Sequence, residues 1–213
     1  MVFFGLAQSA LATSVPLKLD NPQWQVLKYK NIRANRVNQI KGGLQIEIDS
    51  SDSPLIFVFD EPQTIRDISV MGKMGRLPVI PKGVQQGDKG ADDFPFRLGL
   101  VPEGEKILNY GQNLIVAEWV KILFALASSG TGIEHVKFLN LASPGYIDRQ
   151  QREQAGGKGL FTETIINQVK PEENVDLNYT LPMPESVIAL WISADGDDTK
   201  SNFSLTVNSI SYN

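Results

Sequence analysis

Apolar residues in this chain come mostly in short alternating runs, and that spacing restricts what it can fold into. Leu44, Ile46 and Ile48 alternate with Gln45, Glu47 and Asp49, the period-2 pattern of a half-buried strand. Ile68 and Val70 repeat it, as do Phe203, Leu205 and Val207. Leu55 to Phe59 is continuously apolar, as in a strand covered on both faces. Phe94, Phe96, Leu98 and Leu100 share one strand face, with Arg97 and Gly99 on the other. Near the C-terminus, Ile188, Leu190 and Ile192 oppose Val187, Ala189 and Trp191. Turn residues punctuate these runs at Lys41-Gly42-Gly43, Ser51-Asp52-Ser53-Pro54, Pro102-Glu103-Gly104 and Ser143-Pro144-Gly145. Short strands with frequent turns predict an all-β fold, an antiparallel β-sandwich or jelly roll. One segment is ambiguous. Residues 114–127, LIVAEWVKILFALA, are long enough for a helix, but their β-branched and aromatic content favours one long strand.

Length and composition bound the rest. The 213 residues show no repeat, linker or composition break, so residues 13–213 are read as one β-sandwich domain. With 42% hydrophobic and 21% charged residues, the chain can bury a core. A net charge of -4 argues against a general grip on nucleic acid or anionic lipid. The absence of cysteine excludes disulfides, thiolate metal sites and cysteine nucleophiles. His135 is the only histidine, which excludes a multi-histidine metal site within one chain. No segment is apolar over the ~20 residues that a membrane-spanning helix needs.

The first residues, MVFFGLAQSALA, combine an apolar stretch with Ala10-Leu11-Ala12. Small residues at the first and third places fit signal-peptidase cleavage before Thr13. Residues 1–12 are therefore read as a signal-peptide remnant and the mature protein as periplasmic or secreted. The alternative is an apolar N-terminal arm packed on the domain.

Two acidic segments and the tryptophans are the chemical candidates. In Lys89 to Arg97, KGADDFPFR, an extended backbone puts Asp93 and Arg97 on one face. Arg97 can pair with an acid, or fork onto a ligand carboxylate or sugar hydroxyls. In the turn Asp195 to Asn202, DGDDTKSN, the residues Asp195, Asp197 and Asp198 are candidate ligands for calcium, which takes several hard oxygens. The turn lacks the closing glutamate of an EF-hand, and turn chemistry alone favours Asp and Gly there. Trp119 and Trp191 are candidate ligand-binding residues; Trp191 lies with Ala189 and Ser193 on the less apolar face of its strand, where it serves either as a sugar-stacking platform or as a ring packed under a loop.

Three stretches carry a family resemblance: KGGLQIEI, GADDFPFRLGLV and VIALWISADGDDTKSNFSLTVNSISY. Across residues 24–213 the chain resembles the bacterial family catalogued as domain of unknown function 3047, whose members look like exported jelly-roll proteins. The resemblance implies a mid-chain acid–arginine strand, here Asp92, Asp93, Phe94 and Arg97. It also implies an acidic turn, here Asp195, Gly196, Asp197, Asp198 and Thr199, before a closing strand that ends with Tyr212. The chain departs from it at Gly196 and Asp198, and at Phe161 to Gln168 in place of an arginine-rich stretch.

These features lead to a non-catalytic binding module of the bacterial envelope, with a glycan or other envelope component as partner. The alternatives are a polysaccharide hydrolase using paired carboxylates, or an assembly protein with a protein partner. Whether Asp93, Arg97, Asp195 and Trp191 surround one cleft separates an organised site from scattered acidic turns.

Overall fold

A computed structural model describes residues 12–111, 116–128, 131–146, 152–153 and 159–213. The expected signal-peptide segment lies outside the described residues, apart from Ala12. The strands are β1 (Thr13–Ser14), β2 (Trp24–Val26), β3 (Arg36–Ile40), β4 (Gly43–Asp49), β5 (Leu55–Met74), β6 (Phe96–Gly104), β7 (Gly132–Ile133), β8 (Val136–Ala142), β9 (Arg152–Glu153), β10 (Phe161–Gln168), β11 (Asn174–Ser193) and β12 (Asn202–Tyr212). Main-chain hydrogen bonds order them β3-β4-β12-β5-β11-β6-β8-β10-β9, with β1 on β12, β2 on β5 and β7 on β6. The pairing of β8 with β10 is parallel, whereas the other pairings are antiparallel.

The sheet folds over onto itself. One apolar cluster draws Leu44, Ile46 and Ile48 from β4 and Phe203 and Leu205 from β12 together with Leu98, Leu100, Leu139, Leu141, Leu190 and Ile192 from the far half of the strand order. Strands distant along the order thus share one core, which makes the fold the β-sandwich that the alternation predicts. A second cluster occupies the opposite face of β5, β6, β8 and β11, with Ile56, Val101, Phe138, Ala189 and Trp191. Leu55 to Phe59 is continuously apolar because it serves both clusters: Leu55 and Phe57 face the first, Ile56 and Val58 the second.

Two long strands, β5 and β11, run side by side with breaks in register. Residues 181–184 of β11 bulge opposite Arg66, and residues 59–62 of β5 bulge opposite Ile188. Pro182, Pro184 and Pro62 fall inside these bulges, where a residue without an N–H costs the ladder nothing. The second bulge corrects the sequence reading of β11. Ile188 does not share a face with Leu190 and Ile192; it joins the second cluster beside Ala189 and Trp191, while Val187 turns into the first.

The larger correction concerns residues 114–127. Residues 114 and 115 lie outside the described residues, and Glu118–Phe124 form a helix, α1, rather than a strand. Trp119, Leu123 and Leu126 recur at helical spacing and pack on the second cluster. Glu118 and Lys121 pair on the outside at 3.2 Å. The β-branched content was the weaker signal, since a helix that lays an apolar stripe on a sheet overrides local propensity.

Candidate functional site

The second face of the sheet carries the site. Cross-strand register places Ser193 of β11, Arg97 of β6 and Asn140 of β8 in one row. The next row is Trp191, Gly99 and Phe138, continuing to Glu163 of β10. Glycine is required in that row. A Cβ on Gly99 would sit 2.9 Å from both Phe138 Cε1 and Trp191 Cβ, so any side chain there would push the two rings apart.

Arg97 is the electrostatic centre. Its guanidinium lies 3.1 Å from Asp195 Oδ2, 3.2 Å from Glu163 Oε1 and 3.4 Å from Asp92 Oδ1, and it donates to the Asp92 carbonyl at 2.6 Å. The Phe94 ring lies under it, 4.6 Å from ring centroid to guanidinium carbon. Burial alone would lower the guanidinium pKa, but Asp195, Glu163, Asp92 and Asp52 outweigh it and hold Arg97 above its usual value. Arg97 is therefore permanently charged.

The acidic turn is tied to the acid–arginine strand. Asp195 Oδ1 accepts the Phe94 N–H at 2.7 Å. Asp93 accepts the Thr199 N–H at 2.7 Å and the Asp198 N–H at 3.2 Å, and Asp198 in turn accepts the Asp92 N–H at 3.2 Å. Gly196 permits this closeness, because a Cβ there would lie 2.8 Å from Ile48 Cγ2 and 2.9 Å from the Ser201 carbonyl oxygen. Burial pushes the Asp195 carboxyl up from its ordinary range, against the pull of Arg97 and the Phe94 N–H. Burial, with Asp93 and Asp198 nearby, raises that of Asp197.

These groups line one cavity of about 220 Å³, whose walls include Tyr29, Asp52, Asp92, Asp93, Arg97, Trp119, Trp191, Asp195, Asp197 and Asp198. All seven residues singled out from the sequence, Asp93, Arg97, Trp119, Trp191, Asp195, Asp197 and Asp198, thus meet at a single site. Trp191 is not an exposed platform: it is 3% exposed, donates its indole N–H to Ser193 Oγ at 3.3 Å, and sets its ring perpendicular to Phe138 and Trp119. Among the described residues no group of three or more His, Asp or Glu is placed to hold a metal ion. Asp195, Asp93 and Asp198 instead accept hydrogen bonds from backbone N–H groups.

Three contributors lay outside the sequence reading. Glu163 is buried beside Arg97 and within 3.4 Å of the Asn140 amide; its only sequence signal is an acid two residues after Phe161, on the same strand face. Tyr29 meets Trp119 edge-on at 6.0 Å, and burial together with Asp52 and Asp195 raises its phenol well above the usual value, keeping it a neutral hydroxyl. Asp52 reads in sequence only as part of a turn. Asn35 fixes that turn, donating to the Ala194 carbonyl at 2.9 Å and accepting from Ser51 Oγ at 2.7 Å. Asp52 is part-exposed, but its Oδ1 is enclosed and meets no donor among the described residues. Desolvation, with Asp197, Asp93 and Asp92 adding to it against the pull of Arg97, raises its pKa to about 7. His135 stands apart from the cavity, and burial and Lys137 lower its pKa.

No protein-family model matches the chain, and no curated protein matches it in sequence. Among solved structures it is similar to the xylan-binding module CBM15, at 10% identity over 94% of each chain with a TM-score of 0.38. It is also similar to a family 11 carbohydrate-binding module from Clostridium thermocellum in complex with a β-1,3-1,4-mixed-linked tetrasaccharide, at 5% identity over 94% of each chain and a TM-score of 0.43. The Emp47p carbohydrate recognition domain matches at 7% identity, 94% of each chain and 0.40. No helix among the described residues is long and apolar enough to cross a membrane.

Proposed function

We propose that this protein is a non-catalytic binding module whose cavity takes one sugar-sized group of a glycan. The observation that carries the reading is the convergence of Tyr29, Trp119 and Trp191 with a set of carboxylates around one cavity on a sheet face. Aromatic rings supply apolar contact for the C–H faces of a sugar, and carboxylates accept hydrogen bonds from its hydroxyls. At about 220 Å³ the cavity is smaller than the ~300–1,000 Å³ of clefts for drug-sized ligands, which suits one ring and not an extended chain.

Two of the acids, Asp93 and Asp195, are engaged in ways that disfavour a hydrolytic role. Glycoside hydrolysis needs one carboxyl as proton donor and a second as base or nucleophile. Asp195 has one oxygen on Arg97 and the other on a backbone N–H, and both Asp93 oxygens accept N–H groups. The export reading fits the same picture: β1 starts at Thr13, so cleavage after Ala12 would leave every described strand intact.

The test is affinity electrophoresis of wild type and Trp119→Ala through gels carrying different soluble polysaccharides. Retardation by at least one polysaccharide, lost in Trp119→Ala, is expected. Unretarded migration in every gel, or release of reducing ends on incubation, contradicts the reading. N-terminal sequencing of the protein recovered from fractionated cells tests export, with Thr13 expected as the first residue and a cytoplasmic product retaining Met1 as the contrary result.

A further inference from the structure

The charge around the cavity is lopsided. Six aspartates line it, Asp52, Asp92, Asp93, Asp195, Asp197 and Asp198, against Arg97 as the lining cation among the described residues. Arg97 is already surrounded by Asp195, Glu163 and Asp92. An anionic ligand would meet repulsion here, whereas a cation would favour the ionised forms of Asp52, Asp195 and Asp197, which burial disfavours.

Independent of that charge, one carboxylate lacks a hydrogen-bond donor. Asp52 lines the cavity, and its Oδ1 is buried with no donor among the described residues, so this carboxylate carries a desolvation cost that nothing there offsets. Three aromatic rings line the same cavity. Tyr29 stands at 84° to Trp119 with centroids 6.0 Å apart, and Trp191 stands at 82° to Trp119 with centroids 6.4 Å apart. Two aromatic walls set perpendicular to a third, with a carboxylate lining the same cavity, suit an ammonium group, through ring quadrupoles and one ion pair.

We infer that the cavity binds the ammonium group of a positively charged ligand, with Asp52 as its counter-ion and Tyr29, Trp119 and Trp191 as its walls. Resting on the glycan reading, the ligand is then an amino sugar whose nitrogen carries no acyl group. Acylation would remove the charge and add bulk to a cavity of about 220 Å³. The groups facing Asp52 are Arg97, Asp92, Asp93, Asp195, Asp197 and Tyr29. A cation beside Asp52 favours its ionised form, so binding releases a proton and strengthens as Asp52 ionises.

The test titrates wild type, Asp52→Asn and Trp119→Ala with the disaccharide of glucosamine, its N-acetylated counterpart, cellobiose and tetramethylammonium chloride, at matched ionic strength, following tryptophan fluorescence. Glucosamine disaccharide is expected to bind at least about tenfold more tightly than either neutral sugar, and both substitutions to remove that preference. Tetramethylammonium, whose charge does not titrate, is expected to bind about tenfold more weakly at about pH 5.5 than at about pH 8.5 in wild type, and equally at both in Asp52→Asn. Equal affinity for all three sugars overturns the ammonium site and leaves the glycan reading standing. Binding of tetramethylammonium that requires Asp52, without binding of any sugar, supports the ammonium site and overturns the glycan reading. No response to any of the four overturns both.

Discussion

Arg97 and Asp195 approach within 3.1 Å, joining a strand at mid-chain to a turn nearly a hundred residues later. Both are buried, and the same guanidinium also faces Glu163 and Asp92. Removing it leaves several carboxylates without compensation. Arg97→Ala should therefore destabilise the fold by about 3–5 kcal/mol in denaturant unfolding. Arg97→Lys should recover only part of this, because a point-like ammonium cannot bridge Asp195, Glu163 and Asp92 at once. A loss below about 1 kcal/mol for the alanine variant would show that the cluster does not depend on the arginine.

Asp52 makes the stability of the fold depend on pH. Its folded-state pKa of about 7 lies above the unfolded value of about 3.9, so the folded state holds the proton more tightly. The stability this contributes is fully present below about pH 4 and is lost as pH rises through about 7. Asp52→Asn, which is neutral throughout, should be more stable than wild type at about pH 8 by about 1–4 kcal/mol and indistinguishable from it below about pH 4. Denaturation midpoints across that range are the measurement; a variant that is less stable than wild type at about pH 8 contradicts the assignment.

Gly99 tests the packing behind the aromatic walls. A methyl group there meets Phe138 and Trp191 at 2.9 Å, and both rings are buried. Gly99→Ala should cost about 1–3 kcal/mol through overpacking and should shift near-ultraviolet circular dichroism from the tryptophans. An unchanged spectrum with unchanged stability would mean the two rings can part freely.

Calcium should have no effect on melting temperature, added or chelated, because the Asp195 oxygens are held by Arg97 and the Phe94 N–H and those of Asp93 by the turn backbone. A native-state site would raise the midpoint with calcium concentration. Such a rise, abolished by Asp197→Asn, would restore the turn as a cation site.

The strands and the acid–arginine pairing were legible in the sequence because each leaves a local mark. Alternation gave β4 and β12, the unbroken run at Leu55 to Phe59 gave a strand with two covered faces, and a charged Arg97 opposite Phe96 and Leu98 needed a partner. What stayed hidden depends on contacts between distant segments. Asp52 looks like any turn aspartate until Asn35 fixes its loop against Ala194, and whether Trp191 is a platform or a packed ring is decided only by helix α1 on its face. The slip at Ile188 is decided by a bulge on the neighbouring strand, which the sequence of β11 alone does not contain.

The central claim is that the cavity between Tyr29, Trp119 and Trp191 is the binding site, and the tryptophans report on it directly. Trp119 and Trp191 line it, whereas Trp24 packs in the other core cluster with its indole N–H on the Pro16 carbonyl at 2.8 Å. A two-dimensional ¹H–¹⁵N NMR titration with an oligosaccharide that retards the protein, its indole signals assigned by single substitutions, gives three internal probes. The account predicts saturable shifts of the Trp119 and Trp191 indole signals with Trp24 unmoved. Saturable shifts elsewhere with Trp119 and Trp191 unmoved would contradict it.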